Sequence, residues 1–432
     1  MTDAITLQQR LDQTKETPLF YKVFGLIAGG MILDAGDVYM ASAVNANLTG
    51  TNFATLNQGS MFLSAGFLGL FVGSIMAGII GDFYGRKRAY QFNLLLFGFF
   101  TLIGGLAPNI IFLTVVRFIA ACGLGAEIVT GYALINEFAP VKTRGRWCGA
   151  TAIIANLGAL IALLLATLLI PRFTWRAMFV LFGILALILW VLRRHFPESP
   201  RWLIAKGRND AAETIIQRLE INGAYQNTEF FTPKSPKEVS VHKQQKRNLL
   251  VAIMTVSAVL VAQYTFTSWM PTLLIKKGVN VVHSLTFSTT MMFGAPFGAL
   301  IGATLVDWVG RKKIIVTTFS LTAGLGLWYS HQTTNIGVLV NGFLLTTCFY
   351  VLMAVAVGTY TSELFTTQFR FRGAGIANGV AKLLTVVTPY LAAWAISQTN
   401  VNMIFYFIAG LTLAAAVVVG CFGPETKQSI IE

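Results

Sequence analysis

Apolar runs of roughly twenty residues alternate with short polar segments along nearly the whole chain, and that length is what a helix needs to cross the hydrocarbon of a bilayer. Twelve spans are predicted: 21–44, 58–80, 89–107, 110–135, a fifth ending at 170, 177–192, 249–275, 286–305, 314–329, 336–360, 374–396 and 403–422. The only long polar segment, 193–247, divides them six and six. The predicted organisation is a bundle over 1–192, a linker over 193–247 and a bundle over 248–432. Within the linker, Ala211 to Leu219 has a helical pattern and the run Lys234 to Arg247 is basic and poor in apolar residues, so short amphipathic helices followed by a tether are expected. The first nineteen residues are polar and carry no cleavable signal, so the first span stays in the protein.

Two polar turns occur twice. Gly78-Ile79-Ile80-Gly81-Asp82-Phe83-Tyr84-Gly85-Arg86-Lys87-Arg88 returns as Ala303 to Lys313, with Asp82 and Asp307 225 residues apart. Glu137 to Arg146 returns as Glu363 to Gly373 at the same place in the second half. Repeats in register at half the chain length indicate two homologous halves.

Composition agrees: 55% hydrophobic residues, 12% charged and a mean hydropathy of +0.66 would give a soluble domain far too much apolar surface. The formal charge of +14 does not point to nucleic acid, because the basic residues are spread over short loops and form no aromatic-studded patch. Of the 32 Lys and Arg, only Arg172, Arg176, Lys276 and Lys277 fall on outward loops, and Arg117 and Lys382 fall inside spans. The rest lie on one side, which is predicted to be cytoplasmic together with both termini. Cys122, Cys148, Cys348 and Cys421 have no pairing or ligand spacing and read as small apolar fillers. No metal-ligand helix, nucleophile elbow or phosphate-binding loop occurs, so neither an enzyme, a metal nor a cofactor is expected.

Ionisable groups inside spans are costly, about 2.5–3.5 kcal/mol each on insertion scales, and should face a partner or a water-filled cavity. Asp34 and Asp37 lie three apart on one face of the first span, where each raises the other's proton affinity. Arg117 and Glu127 share the fourth span; Glu127 is either a second proton or substrate residue or the packing partner of a cytoplasmic-side base. Lys382, beside Asn378 in span eleven, is a lone cation suited to a substrate carboxylate, or else it snorkels to the surface. Gln263, Tyr264, Trp269, Asn156, Tyr132 and Tyr350 are candidate cavity linings.

These residues resemble the major facilitator superfamily, in its sugar-porter and metabolite:proton symporter branches. The charged turn and its copy, Arg117 to Gly125, Glu137 to Gly145, Trp175-Arg176, Pro197 to Leu203 and Pro424-Glu425-Thr426 carry the likeness. Asp34-Ala35-Gly36-Asp37 is similar to the Asp-Gly-x-Asp of aromatic-acid:proton symporters with the glycine displaced by one. Span seven reads Gln263-Tyr264-Thr265 and span five offers Asn156, unlike the glutamines of sugar porters. The resemblance implies two six-helix bundles rocking about a central site, with Asp37 paired to Arg117 until a proton breaks the pair. A gating role is expected for Gly78, Asp82, Gly85, Arg86, Glu137, Arg144, Asp307, Gly310, Arg311, Glu363 and Arg372, whose bonds to neighbouring helix ends would hold the cytoplasmic side shut in the outward-open state and release on rocking; a purely topological role is the alternative. The expected protein is a monomeric, lipid-embedded importer of a bacterial inner membrane that moves an organic anion with protons. Sugar or polyol symport and a non-transporting nutrient sensor are the alternatives.

Overall fold

Thr17, Thr55, Asn109, Asn280 and Thr334 each stand just before a long apolar run and accept a backbone N–H of the first turn, at 2.9 to 3.3 Å. These caps satisfy donors that lipid would leave unpaired. The computed structural model describes residues 2–12, 14–140, 143–220, 242–276, 278–365, 370–398 and 402–426. The first half contains α1 (Thr2–Asp12), α2 (Pro18–Gly50), α3 (Leu56–Tyr84), α4 (Arg86–Gly104), α5 (Ile110–Phe138), α6 (Arg144–Phe173) and α7 (Arg176–Leu192). Short helices α8 (Pro200–Ala205) and α9 (Asn209–Glu220) follow. The second half contains α10 (His242–Lys276), α11 (Val281–Met292), α12 (Gly294–Val309), α13 (Arg311–Ser330), α14 (Asn335–Leu352), the stub α15 (Thr361–Glu363), α16 (Arg370–Ser397) and α17 (Asn402–Phe422).

Ten helical segments among the described residues are long and apolar enough to cross a bilayer, with α11 and α12 making one broken span. The remaining two crossings of the twelve-helix fold, α4 and α13, each open on three basic residues. We call the side with these clusters the basic face, and the other the opposite face.

Several boundaries differ from the sequence reading. The first span continues to Gly50, because Asn45 is fully buried against other helices rather than exposed in a loop. Helix α10 begins at His242, so the last residues of the expected tether are helical; 221–241 lie outside the described residues. Span eight breaks at Phe293 beside Gly294 and Pro296, and span ten relaxes into a π-helical stretch, Met353–Tyr360. Helix α1, not predicted, rests on α9 through Arg10, which pairs with Glu213 at 3.2 Å and Glu220 at 2.8 Å.

Glycine lets α3 and α5 touch backbone to backbone. A Cβ at Gly69 or Gly73 would overlap the backbone of α5 at Phe118 or Cys122, and one at Gly125 would overlap Leu70. Gly78 is different: nothing lies within 4 Å of its Cβ position.

Apolar packing divides by depth. One core on the opposite-face side draws Val44, Leu48 and Phe62 from the first bundle together with Leu273, Leu285 and Ile404 from the second. Towards the basic face each bundle has its own core, around Ile27, Leu134 and Phe196 in one and around Val256, Phe319 and Val419 in the other. The bundles are therefore sealed at the opposite face and separate at the basic face.

The duplicated turns take the same shape. Gly85 and Gly310 have φ of +94° and +104°, a region that disfavours a side chain. A Cβ at Gly85 would also overlap Glu198. Gly85→Val is expected to lower stability by about 1–3 kcal/mol, read as a drop in melting temperature of the purified protein.

Candidate functional site

The buried charges of the first bundle sit on α2, α5 and the turn that ends α7. Asp37 on α2 is fully buried, and Arg117 on α5, 4% exposed, donates to it. Gly66 of α3 leaves room for that guanidinium, whose Nε lies 3.1 Å from where a Cβ would stand. Arg117 thus reaches across the small-residue face of α3 to α2. A charge pair taken out of water needs such close geometry to offset its desolvation.

Asp34 is buried and neither of its oxygens has a hydrogen-bond partner among the described residues. Glu127 pairs with Arg193, which follows the last residue of α7 and is fully buried. Arg193 also donates to Leu26 O at 2.7 Å and Tyr90 Oη at 3.0 Å, with its guanidinium 4.0 Å from the Tyr90 ring centre. Of the two readings of Glu127, the geometry gives it the base. Sequence reasoning placed Arg193 in the linker; the missed signal was a basic residue directly abutting the apolar run, where a long side chain can turn back into the bundle.

In the second bundle Lys382 on α16 is half-buried and has no ion-pair partner among the described residues. Asn378, one turn before it, donates to its own helix at Ala374 O, 2.9 Å. Asn156 on α6 and Tyr132 on α5 are half-buried. Trp269, expected on a cavity wall, is fully buried in the shared core, and Tyr264 packs against Phe67 with ring centres 5.0 Å apart.

Polar contacts join the bundles where that core lies. Tyr39 and Tyr350 share a hydroxyl contact of 2.6 Å, and Gln263 donates to Tyr39 Oη at 3.2 Å. Ser42 Oγ lies 2.9 Å from both Thr267 O and Ser268 O, and Thr167 meets Thr289 at 3.1 Å. Tyr39 and Ser42 were not singled out from the sequence, since a lone hydroxyl in an apolar span has no pattern to mark it.

At the basic face the charged turns brace helix ends within each bundle. Arg86 pairs with Asp82 at 2.9 Å and Glu137 at 3.2 Å; Arg311 pairs with Glu363 at 3.1 Å. Glu198 accepts from Lys87 N at 2.9 Å, and Glu425 from Arg311 N at 2.9 Å and Lys312 N at 3.2 Å. These bonds are formed while the bundles are apart at this face, so here they stiffen each bundle and do not join the two. Among the described residues Arg144 pairs with Asp12 alone, at 3.9 Å, Arg372 is exposed, and the side chain of Asp307 lies outside the described residues. Nearby, the Thr143 hydroxyl at 2.6 Å holds the Glu16 carboxyl below its usual range. Pro197-Glu198 and Pro424-Glu425 are themselves a repeat, 227 residues apart, which was the available signal for these two braces.

The family model described as "Sugar (and other) transporter" matches residues 25–432. The chain is 32% identical to the inner membrane metabolite transport protein YdjE of Escherichia coli (strain K12), over 98% of this chain and 97% of that one. It is 27% identical to the niacin transporter NiaP of Acinetobacter baylyi (strain ATCC 33305 / BD413 / ADP1), over 99% of both. Its fold matches the inward open conformation of the xylose transporter XylE from E. coli with a TM-score of 0.75 at 16% identity, covering 95% of this chain and 97% of that one. Built from two sealed-and-parted bundles and matched along nearly its whole length, the chain belongs to the sugar (and other) transporter family of the major facilitator superfamily and is a multi-pass membrane transporter.

Proposed function

We propose that the protein is a proton-coupled symporter of a small organic carboxylate, working by alternating access with its basic face in the cytoplasm. The observation that carries this reading is the buried Asp37–Arg117 pair. A proton is the smallest agent that can break such a pair, because a neutral carboxyl no longer holds the guanidinium. Asp37 lies just before Tyr39 and Ser42 on α2, the residues that bond to the second bundle. Loosening Arg117 therefore acts on the helix that seals the opposite face, and the bundles rock as units stiffened by their charged turns. On this reading the parted basic face is the cytoplasmic exit, where substrate and proton leave.

Lys382 supports a carboxylate as substrate: it is a half-buried cation inside a span whose charge nothing in the described protein offsets. The relative NiaP, named for niacin, which bears a carboxylate on an aromatic ring, supports the same class. A second reading, sugar or polyol symport, is favoured by the description of the matched family and by the Pro197 to Leu203 stretch. We place the protein in a bacterial inner membrane as a monomer with both termini cytoplasmic, following the bacterial metabolite transporters it resembles and the asymmetry of its basic residues.

Uptake into reconstituted vesicles, with and without a pH gradient acid on the outside, tests both readings on a panel of aromatic acids, aliphatic acids and sugars. Acids are expected to accumulate and sugars not to. Lys382→Gln should then raise the half-saturating acid concentration about tenfold or more, as loss of a charge-assisted hydrogen bond of ~1.5–3 kcal/mol requires. Equal loss for a neutral and an anionic substrate would contradict carboxylate capture.

A further inference from the structure

We infer that Asp34 is a second proton station, one helical turn nearer the cytoplasm than Asp37, and that Arg193 fixes its occupancy by neutralising Glu127 and leaving Asp34 without a counter-ion. This deepens the proton-coupled reading and rests on it.

The argument is a charge count in one buried region. Arg117 is matched one to one by Asp37. Arg193, fully buried and held by Glu127, Leu26 O and Tyr90, faces two carboxyls instead of one. Asp34 belongs to the same cluster: its charged neighbours are Glu127, Arg193 and Asp37. One turn before it, a Cβ at Gly30 would overlap both Arg193 and Glu127, so the second pair sits directly against this face of α2. Tyr90 of α4 and Tyr132 of α5 complete the titratable surroundings. Helices α6 and α7 present Gly158, Phe182 and Leu189 to this stretch, none of which titrates.

Three carboxyls and two guanidiniums leave one negative charge in excess, and a buried charge without a partner is resolved by taking up a proton. Glu127 already accepts from Arg193, whereas both oxygens of Asp34 are without a partner among the described residues, so the proton resides on Asp34. The transfer balances. As the bundles part at the cytoplasmic face, the O–H bond of Asp37 breaks, its carboxylate pairs with Arg117, and an O–H bond forms on Asp34. Net charge in the region is unchanged until the proton leaves Asp34 for the cytoplasm.

Infrared spectroscopy of the purified full-length protein at neutral pH reads the station directly, through the carbonyl band of a protonated buried carboxyl. One such carboxyl is expected in the wild type. Asp34→Asn should lose it, and so should Glu127→Gln, because Arg193 is then free to pair with Asp34. Arg193→Gln should roughly double the band, since Glu127 loses its cation as well; Arg193→Lys should keep it single. No band in the wild type, or a band that survives both Asp34→Asn and Glu127→Gln, overturns the assignment. Failure of the wider reading looks different: a pH gradient without effect on uptake, with the band and its responses intact, leaves the protonated Asp34 standing and removes symport.

Discussion

Asp37→Asn is expected to abolish proton-driven accumulation while leaving exchange of substrate across the membrane. Asparagine matches aspartate in shape and cannot ionise, so it fixes the site in the form that a proton would produce. Arg117 then sits 4% exposed with no matching anion. Removing one partner of a buried pair costs roughly 3–5 kcal/mol, because the remaining charge is uncompensated. A fall in melting temperature should therefore accompany the functional loss. The carrier can still rock, but its position no longer depends on a proton, and a pH gradient has nothing to act on. Counterflow of labelled against unlabelled substrate should persist, and accumulation above the external concentration should vanish. Undiminished uphill uptake in this variant would remove Asp37 from the coupling mechanism.

The second large effect concerns folding. Gly73→Leu is expected to leave little folded protein, whereas Gly78→Leu, five residues along the same helix, should be tolerated. At Gly73 a side chain would run into the backbone of Cys122 on α5, and backbone cannot turn aside as a flexible side chain can. Overpacking typically costs about 1–3 kcal/mol and more where nothing can yield. Separation of α3 from α5 would also unseat Arg117, which lies over Gly66 on the same contact. At Gly78 nothing stands within 4 Å. The monodisperse fraction after size-exclusion chromatography should separate the two variants; equal yields would mean that the α3–α5 contact is not where the bundle is held.

Much of this architecture was legible in the sequence because lipid enforces length. A helix that must satisfy its own backbone across the bilayer announces itself by an apolar run, and the duplicated turns announce the second bundle. What length cannot show is where a polar residue turns inward. Asn45 looked like loop and is helix, because its amide is buried among neighbouring helices. Arg193 looked like linker and is core, because Glu127, 66 residues earlier in sequence, meets it there. Trp269, expected on a cavity wall, lies fully buried in the core that both bundles share, since an aromatic ring in a span has the same composition in either place. Helix α1 was hidden by its shortness and polarity, and depends on Arg10 finding α9 across 203 residues of chain. The Asp37–Arg117 pair was expected from resemblance; composition alone marked only two costly residues in different spans.

Proton movement in vesicles holding the wild-type protein tests the central claim most directly. With a pH reporter inside and no imposed gradient, an external pulse of a transported carboxylate should acidify the lumen, at a rate that rises and saturates with substrate, and Asp37→Asn should abolish the signal while counterflow continues. Substrate entry with no change in internal pH, in a preparation whose lumen responds normally to added acid, would contradict coupling through the buried pair.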